Sequence, residues 1–258
     1  MRHPPLWKAD GMTLRVPRRA RTHRRLAATA SVLLALPTFA ACSGDSSDAA
    51  DSGKAPEDVL ADAATKLTET SGIDLTLSTG KLPEGVSGIA KAEGTVTDAP
   101  AFDGSITVVF AGQTAEVPVI AVDDKVYAQL PFTMGAWDTV NPKEYGAPDP
   151  SQLVGEDGFA GLLGLTESPE EGESVRGGDN NTEVLTTYSG TVPGDAMDAV
   201  IPSSSGDSFD VEWQVNDDGE LRKATMTGVF YPHTDPMTYT VEFTDYGSTQ
   251  DITAPAGK

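Results

Sequence analysis

The stretch Phe209–Val215, FDVEWQV, decides the fold, because it shows the clearest alternation of apolar and polar residues in the chain. In an extended backbone its apolar side chains fall on one side and its polar side chains on the other. This period of two predicts a strand with one buried face. The next four residues, NDDG at 216–219, are typical of a hairpin turn, so the run 221–231 is predicted to return as the antiparallel partner.

The same alternation continues on both sides of this hairpin. After Gly72, the run IDLTLST places its isoleucine and leucines on one face. Further strands, separated by turns rich in Gly and Asp, are predicted at 88–97, 103–111, 113–122, 125–130, 172–178, 182–192 and 237–246. The pairs Ala99-Pro100 and Val117-Pro118 indicate sheet edges or bulges, because proline cannot donate a hydrogen bond to a neighbouring strand.

Helices are predicted at the start and in the middle of the chain. Residues 55–71 combine Pro56 in the first turn, acidic residues behind it and an apolar stripe, and Gly72 ends the helix. The segment 131–170 is rich in Pro and Gly and breaks the strand pattern. Short helices are predicted at 150–154, 157–165 and 194–200. This order predicts an α+β fold: a large antiparallel sheet with a few helices on one face.

The N-terminal residues have the pattern of an export signal that ends in a cysteine. Eight Arg and Lys residues precede the uncharged run Leu26–Ala41, and the chain's single cysteine, Cys42, follows it. The triplet Phe39-Ala40-Ala41 resembles the lipobox of bacterial lipoproteins, which implies cleavage before Cys42 and acylation of its thiol. We therefore predict a signal peptide at 1–41 and a lipid anchor at Cys42, on the extracytoplasmic face of the plasma membrane. Ordinary signal cleavage, or a spare thiol at Cys42, is the alternative.

Charge sets limits on the partners of the mature chain. The chain has 18 Lys and Arg against 39 Asp and Glu, and eight of the basic residues but one acidic residue lie in 1–41, which leaves a formal charge of −28 on the remainder. This charge opposes binding to nucleic acid or to anionic lipid head groups. Residues 42–54 predict a disordered acidic tether, and 55–254 predict one domain without an internal disulfide.

The predicted domain lacks the residues that catalysis needs. His233 is the one histidine after the leader, and its surroundings, YPHTDP, predict a turn between strands. A Gly-x-Ser-x-Gly motif and a His or Cys ligand set are absent from the sequence. The acidic run 167–173 would suit Ca²⁺, but no EF-hand motif accompanies it, so a solvated loop is the simpler interpretation. The sequence therefore indicates a protein that is not an enzyme and holds no cofactor or metal.

The segment 131–170 also carries many apolar residues among its glycines and prolines. If short, loosely connected helices cover one face of the sheet, an apolar cavity can remain between the two layers. Such a cavity suits acyl chains. An ordinary filled core beneath the helices is the other interpretation, and the residues alone favour it.

A resemblance to a known family changes that balance. The run 120–165 resembles the LppX/LprG (LppX_LprAFG) family of actinobacterial cell-envelope lipoproteins, and the likeness extends from the helix at 55–71 to the hairpin at 209–229. The shared features of the run are the Asp-x-Lys-x-Tyr pattern around Lys125, then Trp137, Pro142, Pro150, Gly158 and the Leu162-Leu163 helix. The resemblance implies a curved antiparallel half-barrel with short helices packed on its concave face.

Family members bind acylated lipids or glycolipids in a cavity between sheet and helices, and are thought to carry them across the cell envelope. The resemblance therefore implies a lipid cargo, the plasma membrane and an envelope transporter as partners. A closed-core interaction or sensor lipoprotein is the alternative. The candidate cavity-lining residues are Val109, Val119, Tyr127, Leu130, Phe132, Trp137, Phe159, Leu162, Leu163, Val200, Trp213 and Met226.

Overall fold

The computed structural model describes residues 53–178 and 181–257. The predicted signal peptide 1–41, the anchor Cys42 and nearly all of the predicted tether lie outside the described residues. The helices are α1 (Pro56–Glu69), α2 (Phe159–Gly164) and α3 (Gly194–Val200), with 3₁₀ helices at Pro142–Tyr145 and Pro150–Gln152. The strands are β1 (Gly72–Thr79), β2 (Gly88–Thr97), β3 (Ala101–Phe110), β4 (Gln113–Val122), β5 (Lys125–Ala128), β6 (Asp138–Val140), β7 (Glu167–Gly177), β8 (Glu183–Pro193), β9 (Ser208–Asn216), β10 (Leu221–Gly228) and β11 (Met237–Thr244).

All the strands join one antiparallel sheet of 11 strands, in the order β6-β5-β4-β3-β2-β1-β11-β10-β9-β8-β7. The first and last strands of the chain therefore meet in the middle, where Leu75 lies opposite Phe243. The sheet is open, because β6 and β7 are edges. The predicted α+β half-barrel with few short helices is confirmed.

The alternation of FDVEWQV produces the buried face as predicted. Phe209, Val211 and Trp213 in β9 are at most 1% exposed, whereas Asp210 and Glu212 between them are exposed. Trp213 of β9 lies opposite Ala224 of β10, a small residue that leaves room for the indole. This apolar face, which the helices cover, is called the inner face below.

Two glycines shape the inner face of the neighbouring strands. Gly94 of β2 lies opposite Gly104 of β3, and the ring of Phe102 lies over both. A Cβ atom on either residue would come within 2.7 Å of that ring. The aromatic ring thus shields backbone that has no side chain of its own, and Phe102 is buried at 1% exposure.

The helices cover the two halves of the inner face unequally. α1 contacts α2, β7 and β10, and α3 contacts β8 and β9, so helices lie over the half formed by the C-terminal strands. Over β2, β3 and β4 the contacting element is the 3₁₀ helix at 150–152. The predicted helix at 150–154 is thus a single 3₁₀ turn, in which Asp149 accepts a hydrogen bond from the Ser151 backbone N–H at 3.0 Å.

Two strands differ from the prediction. The acidic run interpreted as a solvated loop belongs to β7, which extends from Glu167 rather than from residue 172. Charged side chains on an edge strand discourage pairing with another chain, so acidic residues and a strand are compatible here. The short strand β6 was not predicted, because three residues are too few to show an alternation.

Pro118 marks the point where one ladder ends. Its carbonyl accepts a hydrogen bond from Gln129 N–H at 3.1 Å, and β4 pairs with β5 from Val119 onward. Beyond this point, residues 113–117 of β4 pair with β3 alone. A residue without an N–H therefore lies at a local edge, as predicted.

Antiparallel pairing places the connections at two opposite ends of the sheet. One end, the acidic end, carries the turns 98–100, 123–124 and 217–220 and the chain after β11. Each of these contains aspartate, and Asp123 and Asp124 both have positive φ, which a tight hairpin of two residues requires. The other end, the loop end, carries 80–87, 111–112, 194–207 and 229–236, whereas the loop 129–137 leaves the sheet part-way along β4, where Gln129 N–H donates to the Pro118 carbonyl.

Candidate functional site

The candidate lining residues occupy four environments. Seven lie buried in one continuous apolar core between the inner face and the helices: Val119, Phe159, Leu162, Leu163, Val200, Trp213 and Met226. Val109 and Leu130 are half-buried and contact that core, and Trp137 is half-buried. Val109 follows Val108 of the inner face, so the alternation of β3 directs its side chain to the outer face. Phe132 is 78% exposed, so it lies at the surface rather than between sheet and helices.

Tyr127 is buried but faces away from this core. It lies between Val126 and Ala128, which both belong to the core, so the alternation of β5 directs Tyr127 to the outer face. Three successive residues of β5, Val126, Tyr127 and Ala128, are buried. An uninterrupted apolar run of this kind in the sequence does not show which of its side chains point inward.

Aromatic side chains fill the half of the interior beneath the helices. The rings of Phe159 and Phe243 meet edge to face with centroids 5.5 Å apart. Phe230 packs against Phe209 and Tyr239, each at 4.9 Å between centroids. These contacts are the geometry of a packed core, and the spaces between sheet and helix on this side hold protein atoms.

Trp213 is held by a partner that sequence reasoning missed. Its indole N–H donates a hydrogen bond to Thr166 Oγ1 at 2.9 Å, and that hydroxyl donates to the Leu162 carbonyl at 3.0 Å. One hydroxyl thereby connects β9 to α2. Thr166 gave no signal in the sequence, because its pairing with Trp213 spans 47 positions of the chain.

The short helix α2 depends on close contact with the loop before it. Phe159 N–H donates to the Leu153 carbonyl at 2.7 Å. A Cβ on Gly158 would lie 2.2 Å from the same carbonyl oxygen, so only glycine permits this approach. The loop 153–158 therefore determines where Phe159, Leu162 and Leu163 enter the core.

The other half of the inner face has a thinner cover. Leu77, Ile106 and Val108 follow the buried Phe102 along the inner face but are only half-buried. Phe110 ends this line and is 72% exposed. These four side chains form an apolar track, named here the β3 track, that runs from the core to the rim at the loop end.

A surface cavity of about 610 Å³ lies beside the β5–β6 edge. Its walls combine Leu130, Phe132, Val140 and Tyr145 with the polar residues Asp138, Thr139, Asn141 and Glu144. A second cavity of about 620 Å³ includes Glu183, Arg222 and Tyr246. Arg222 binds both carboxylate oxygens of Glu183 there, and although burial opposes its charge, these contacts raise its pKa.

Buried tyrosines close the ends of the core. Tyr239 OH lies 2.7 Å from the Ile89 carbonyl and 2.9 Å from Tyr231 OH, and burial raises the pKa of Tyr239. Tyr246 OH donates to the Leu221 carbonyl at 2.8 Å, and burial raises its pKa too. These hydroxyls join neighbouring segments of the chain through hydrogen bonds.

Within the described residues, no three His, Cys, Asp or Glu side chains are grouped so as to hold a metal ion. No helix in residues 53–178 and 181–257 has the length and apolarity to cross a bilayer. His233 lies exposed in the turn between β10 and β11, as predicted, with φ of 64°. The described site is therefore an apolar interior with one half-covered side.

Comparison with known proteins agrees with this geometry. The LppX_LprAFG lipoprotein family model matches residues 55–253. The chain is similar in structure to LprF from Mycobacterium bovis, with TM-score 0.62 and 15% identity, covering 78% of this chain and 97% of that one. It is also similar to lipoprotein LppX of Mycobacterium tuberculosis, with TM-score 0.55 and 13% identity, covering 77% and 98%. No curated protein sequence matches the chain.

Proposed function

Because this chain belongs to the LppX_LprAFG lipoprotein family, we propose that it is a membrane-anchored lipoprotein that binds an acylated lipid or glycolipid and carries it across the cell envelope. The acyl chains lie against the inner face, and the head group stays at the surface. The observation that carries this proposal is the β3 track. It offers apolar surface that the protein itself covers only in part.

The segment 141–158 is the part of the cover that moves to admit lipid. It contacts β2, β3 and β4 through one 3₁₀ turn, and short turns of this kind have few hydrogen bonds to break. The helices over the C-terminal strands stay in place, because aromatic rings fill the space beneath them. The lipid therefore enters on the side of β2–β4.

Transfer of the cargo needs no chemistry. Each methylene that passes from water into an apolar site gains about 0.8 kcal/mol, and it gains about as much in the bilayer. Movement from bilayer to protein is then nearly neutral in free energy, so the direction of transport follows from lipid supply and from the acceptor. An envelope transporter is one such partner.

Lipid attachment at Cys42 keeps the domain at the membrane where the cargo is. Two or three acyl chains hold a protein far more firmly than one chain does. Replacement Cys42→Ala is expected to release the protein from the membrane fraction into the soluble fraction. Retention of the variant in membranes would refute the anchor.

Native mass spectrometry of the protein, purified from its own membranes, tests cargo binding. The wild-type protein is expected to retain an acylated lipid. Ile106→Trp and Val108→Trp, which fill the β3 track, are expected to reduce that lipid at least tenfold. Thr107→Trp is the matched control on the outer face of the same strand and should keep it. Repeated absence of lipid from the wild-type protein would sink the proposal.

A second candidate function has its own support. Phe159, Trp213 and Phe243 are at most 1% exposed and fill the interior beneath α1 and α2. This packing favours an interaction or sensor lipoprotein that docks on an envelope transporter or receptor through its surface. The same experiment separates the two, because a closed-core protein carries no lipid and is indifferent to Ile106→Trp.

A further inference from the structure

The β3 track becomes more deeply buried with distance from the rim. Phe110 at the rim is 72% exposed, and Val108 and Ile106 behind it are half-buried. Phe102 is 1% exposed. Because the side chains of a strand alternate between its two faces, successive inner-face residues lie about 7 Å apart along β3. The track is therefore open at Phe110 and closed at Phe102.

The register of β1–β4 shows how the track closes. Residues paired across these strands form rows on the inner face. The row of Ile106 includes Leu77 and Ala92, which are both half-buried. The row of Phe102 consists of residues that are at most 1% exposed: Ile73, Val96, Phe102 and Ala121. Two steps along the sheet thus separate a partly open row from a filled one.

The row between these two has no side chain on β2 or β3. It pairs Gly94 with Gly104, and Leu75 and Val119 flank them on β1 and β4. Since neighbouring strands are about 4.8 Å apart, this row by itself would form a groove about 14 Å wide between β1 and β4. The Phe102 ring lies in that groove, within 2.7 Å of where a Cβ of either glycine would be. One side chain therefore separates the track from the filled core.

The chemistry of the track favours one orientation of a lipid. On β2, β3 and β4, the inner-face residues in the rows of Gly104, Ile106 and Val108 are all apolar. Such a surface offers no partner to a polar head group, whose burial without hydrogen bonds is unfavourable. The rim at Phe110 is exposed to solvent. A bound lipid therefore points its methyl end at Phe102 and keeps its head group at the rim.

We infer that Phe102 is the end wall of the lipid site and sets the longest acyl chain that the site accepts. The inference rests on the proposed function and deepens it, because it names the property by which the site selects its cargo. A chain that fits the track ends against the Phe102 ring. A longer chain leaves methylenes in water that the bilayer would keep buried, so it binds more weakly.

A series of saturated phosphatidylcholines that differ only in acyl-chain length tests the end wall. The full-length lipoprotein in detergent is incubated with an equimolar mixture of the series, and native mass spectra give the amount of each species bound. Phe102→Leu keeps the position apolar, but leucine is too short to cover Gly94 and Gly104. This variant is expected to raise the ratio of the longest to the shortest bound species at least threefold, because the row of the two glycines becomes free.

Ile106→Phe tests the wall in the opposite direction. Its ring lies two steps nearer the rim than the ring of Phe102, while Val108 leaves the outer part of the track open. The ratio of the longest to the shortest bound species should therefore fall at least threefold. If the wild-type protein retains cellular lipid but takes up no phosphatidylcholine, the mass of the retained lipid is the readout. That mass should rise in Phe102→Leu and fall in Ile106→Phe.

Phe209→Leu is the matched control, because Phe209 is also fully buried but lies in β9, which β10 and β11 separate from β1. It should lower stability and leave the length ratio unchanged. A wild-type ratio in Phe102→Leu, with the fold verified by circular dichroism, would overturn the inference, since the ring would then only shield the backbone of the two glycines. If Phe102→Leu does not fold, Ile106→Phe decides alone, and an unchanged ratio there overturns the inference.

The end wall and lipid carriage fail in different ways. Lipid that binds with the same length preference to the wild-type protein, Phe102→Leu and Ile106→Phe removes the end wall and leaves lipid carriage standing. A wild-type protein that neither takes up phosphatidylcholine nor retains cellular lipid removes lipid carriage, and the end wall with it.

Discussion

At the scale of single residues, the interior depends on a few polar contacts in apolar surroundings. Trp213 is fully buried, and its one polar group is satisfied by Thr166, whose hydroxyl is in turn satisfied by the Leu162 carbonyl. A buried donor without a partner would cost more than the hydrogen bond itself contributes. Thr166 therefore matters to stability although it is a small polar residue at a strand boundary.

Thr166→Val keeps the shape of the side chain and removes the acceptor of the indole N–H. The free energy of unfolding is expected to fall by about 1–3 kcal/mol, because the buried donor loses its partner. Urea denaturation followed by circular dichroism measures the change. Thr225→Val, on the outer face of β10, is the control and should stay within about 0.5 kcal/mol. Equal stability of both variants would contradict the role of Thr166.

Tyr239 and Tyr246 make stability depend on alkaline pH. Burial raises the pKa of both phenols above the ordinary value of about 10. The folded state thus binds their protons more tightly than the unfolded state does. Their contribution is complete below about pH 10 and is lost as pH rises above it.

We therefore expect the urea midpoint to fall as the pH rises from about 10 to about 12. Tyr239→Phe should be less stable at neutral pH, because the Ile89 carbonyl loses its donor, yet its midpoint should fall less steeply with pH. Tyr145→Phe, at a 65% exposed position, should follow the wild-type profile. A Tyr239→Phe profile parallel to that of the wild-type protein would contradict this account.

At the scale of elements, α2 is a helix too short to be stable by itself. It has six residues, and its position comes from the loop 153–158 and from Trp213 through Thr166. Gly158 and Gly164 flank and end it, and the structure gives them opposite surroundings. A Cβ on Gly158 meets backbone oxygen, whereas a Cβ on Gly164 meets nothing within 4 Å.

Gly158→Ala should lower the free energy of unfolding by about 1–3 kcal/mol, because the loop backbone must move away from the new methyl group. Gly164→Ala should instead be neutral or stabilising by up to about 1 kcal/mol, since alanine suits a helix better than glycine does. Chemical denaturation of the two variants gives the comparison. The interpretation fails if Gly158→Ala is as stable as Gly164→Ala.

Comparison of predicted and observed strands shows which of them a local sequence pattern can predict. Strands with regular alternation, such as β9 and β11, were predicted within a few residues of their bounds, because one face is buried and the other is not. The strand predicted at 172–178 is shorter than β7, because the acidic residues at the start of β7 do not alternate with apolar residues. β5 was predicted as a strand, but the inward residues were misassigned at Tyr127, where both faces are covered.

At the scale of the whole molecule, the sheet carries a large excess of negative charge on its surface. The chain after residue 41 has a formal charge of −28. Within residues 53–178 and 181–257, the ion pairs join Lys54 to Asp62, Lys91 to Glu93, and Arg222 to Glu183 and Glu220. Mutual repulsion of these charges destabilises the compact state, and salt weakens it. Burial of the apolar interior must therefore offset the unfavourable electrostatic free energy of these surface charges.

The melting temperature is accordingly expected to rise as NaCl increases from about 0.01 M to about 0.2 M, where the screening length falls below about 10 Å. Differential scanning calorimetry at fixed pH measures it. An equal osmolality of sucrose serves as a control for effects that do not arise from charge. A melting temperature that is constant or falls with NaCl would show that surface repulsion is a minor factor.

The sequence by itself determined the class of fold, because alternation records which side of each strand meets the core, and its family resemblance indicated the lipoprotein family that the match at 55–253 then established. Only the tertiary structure decided that β1 lies beside β11, that Thr166 meets Trp213 and that Phe159 meets Phe243. It also decided that one half of the interior is filled and the other is thinly covered. Local patterns encode a preference for burial, but the space between two layers depends on how side chains distant in sequence fit together, and no local pattern records that fit.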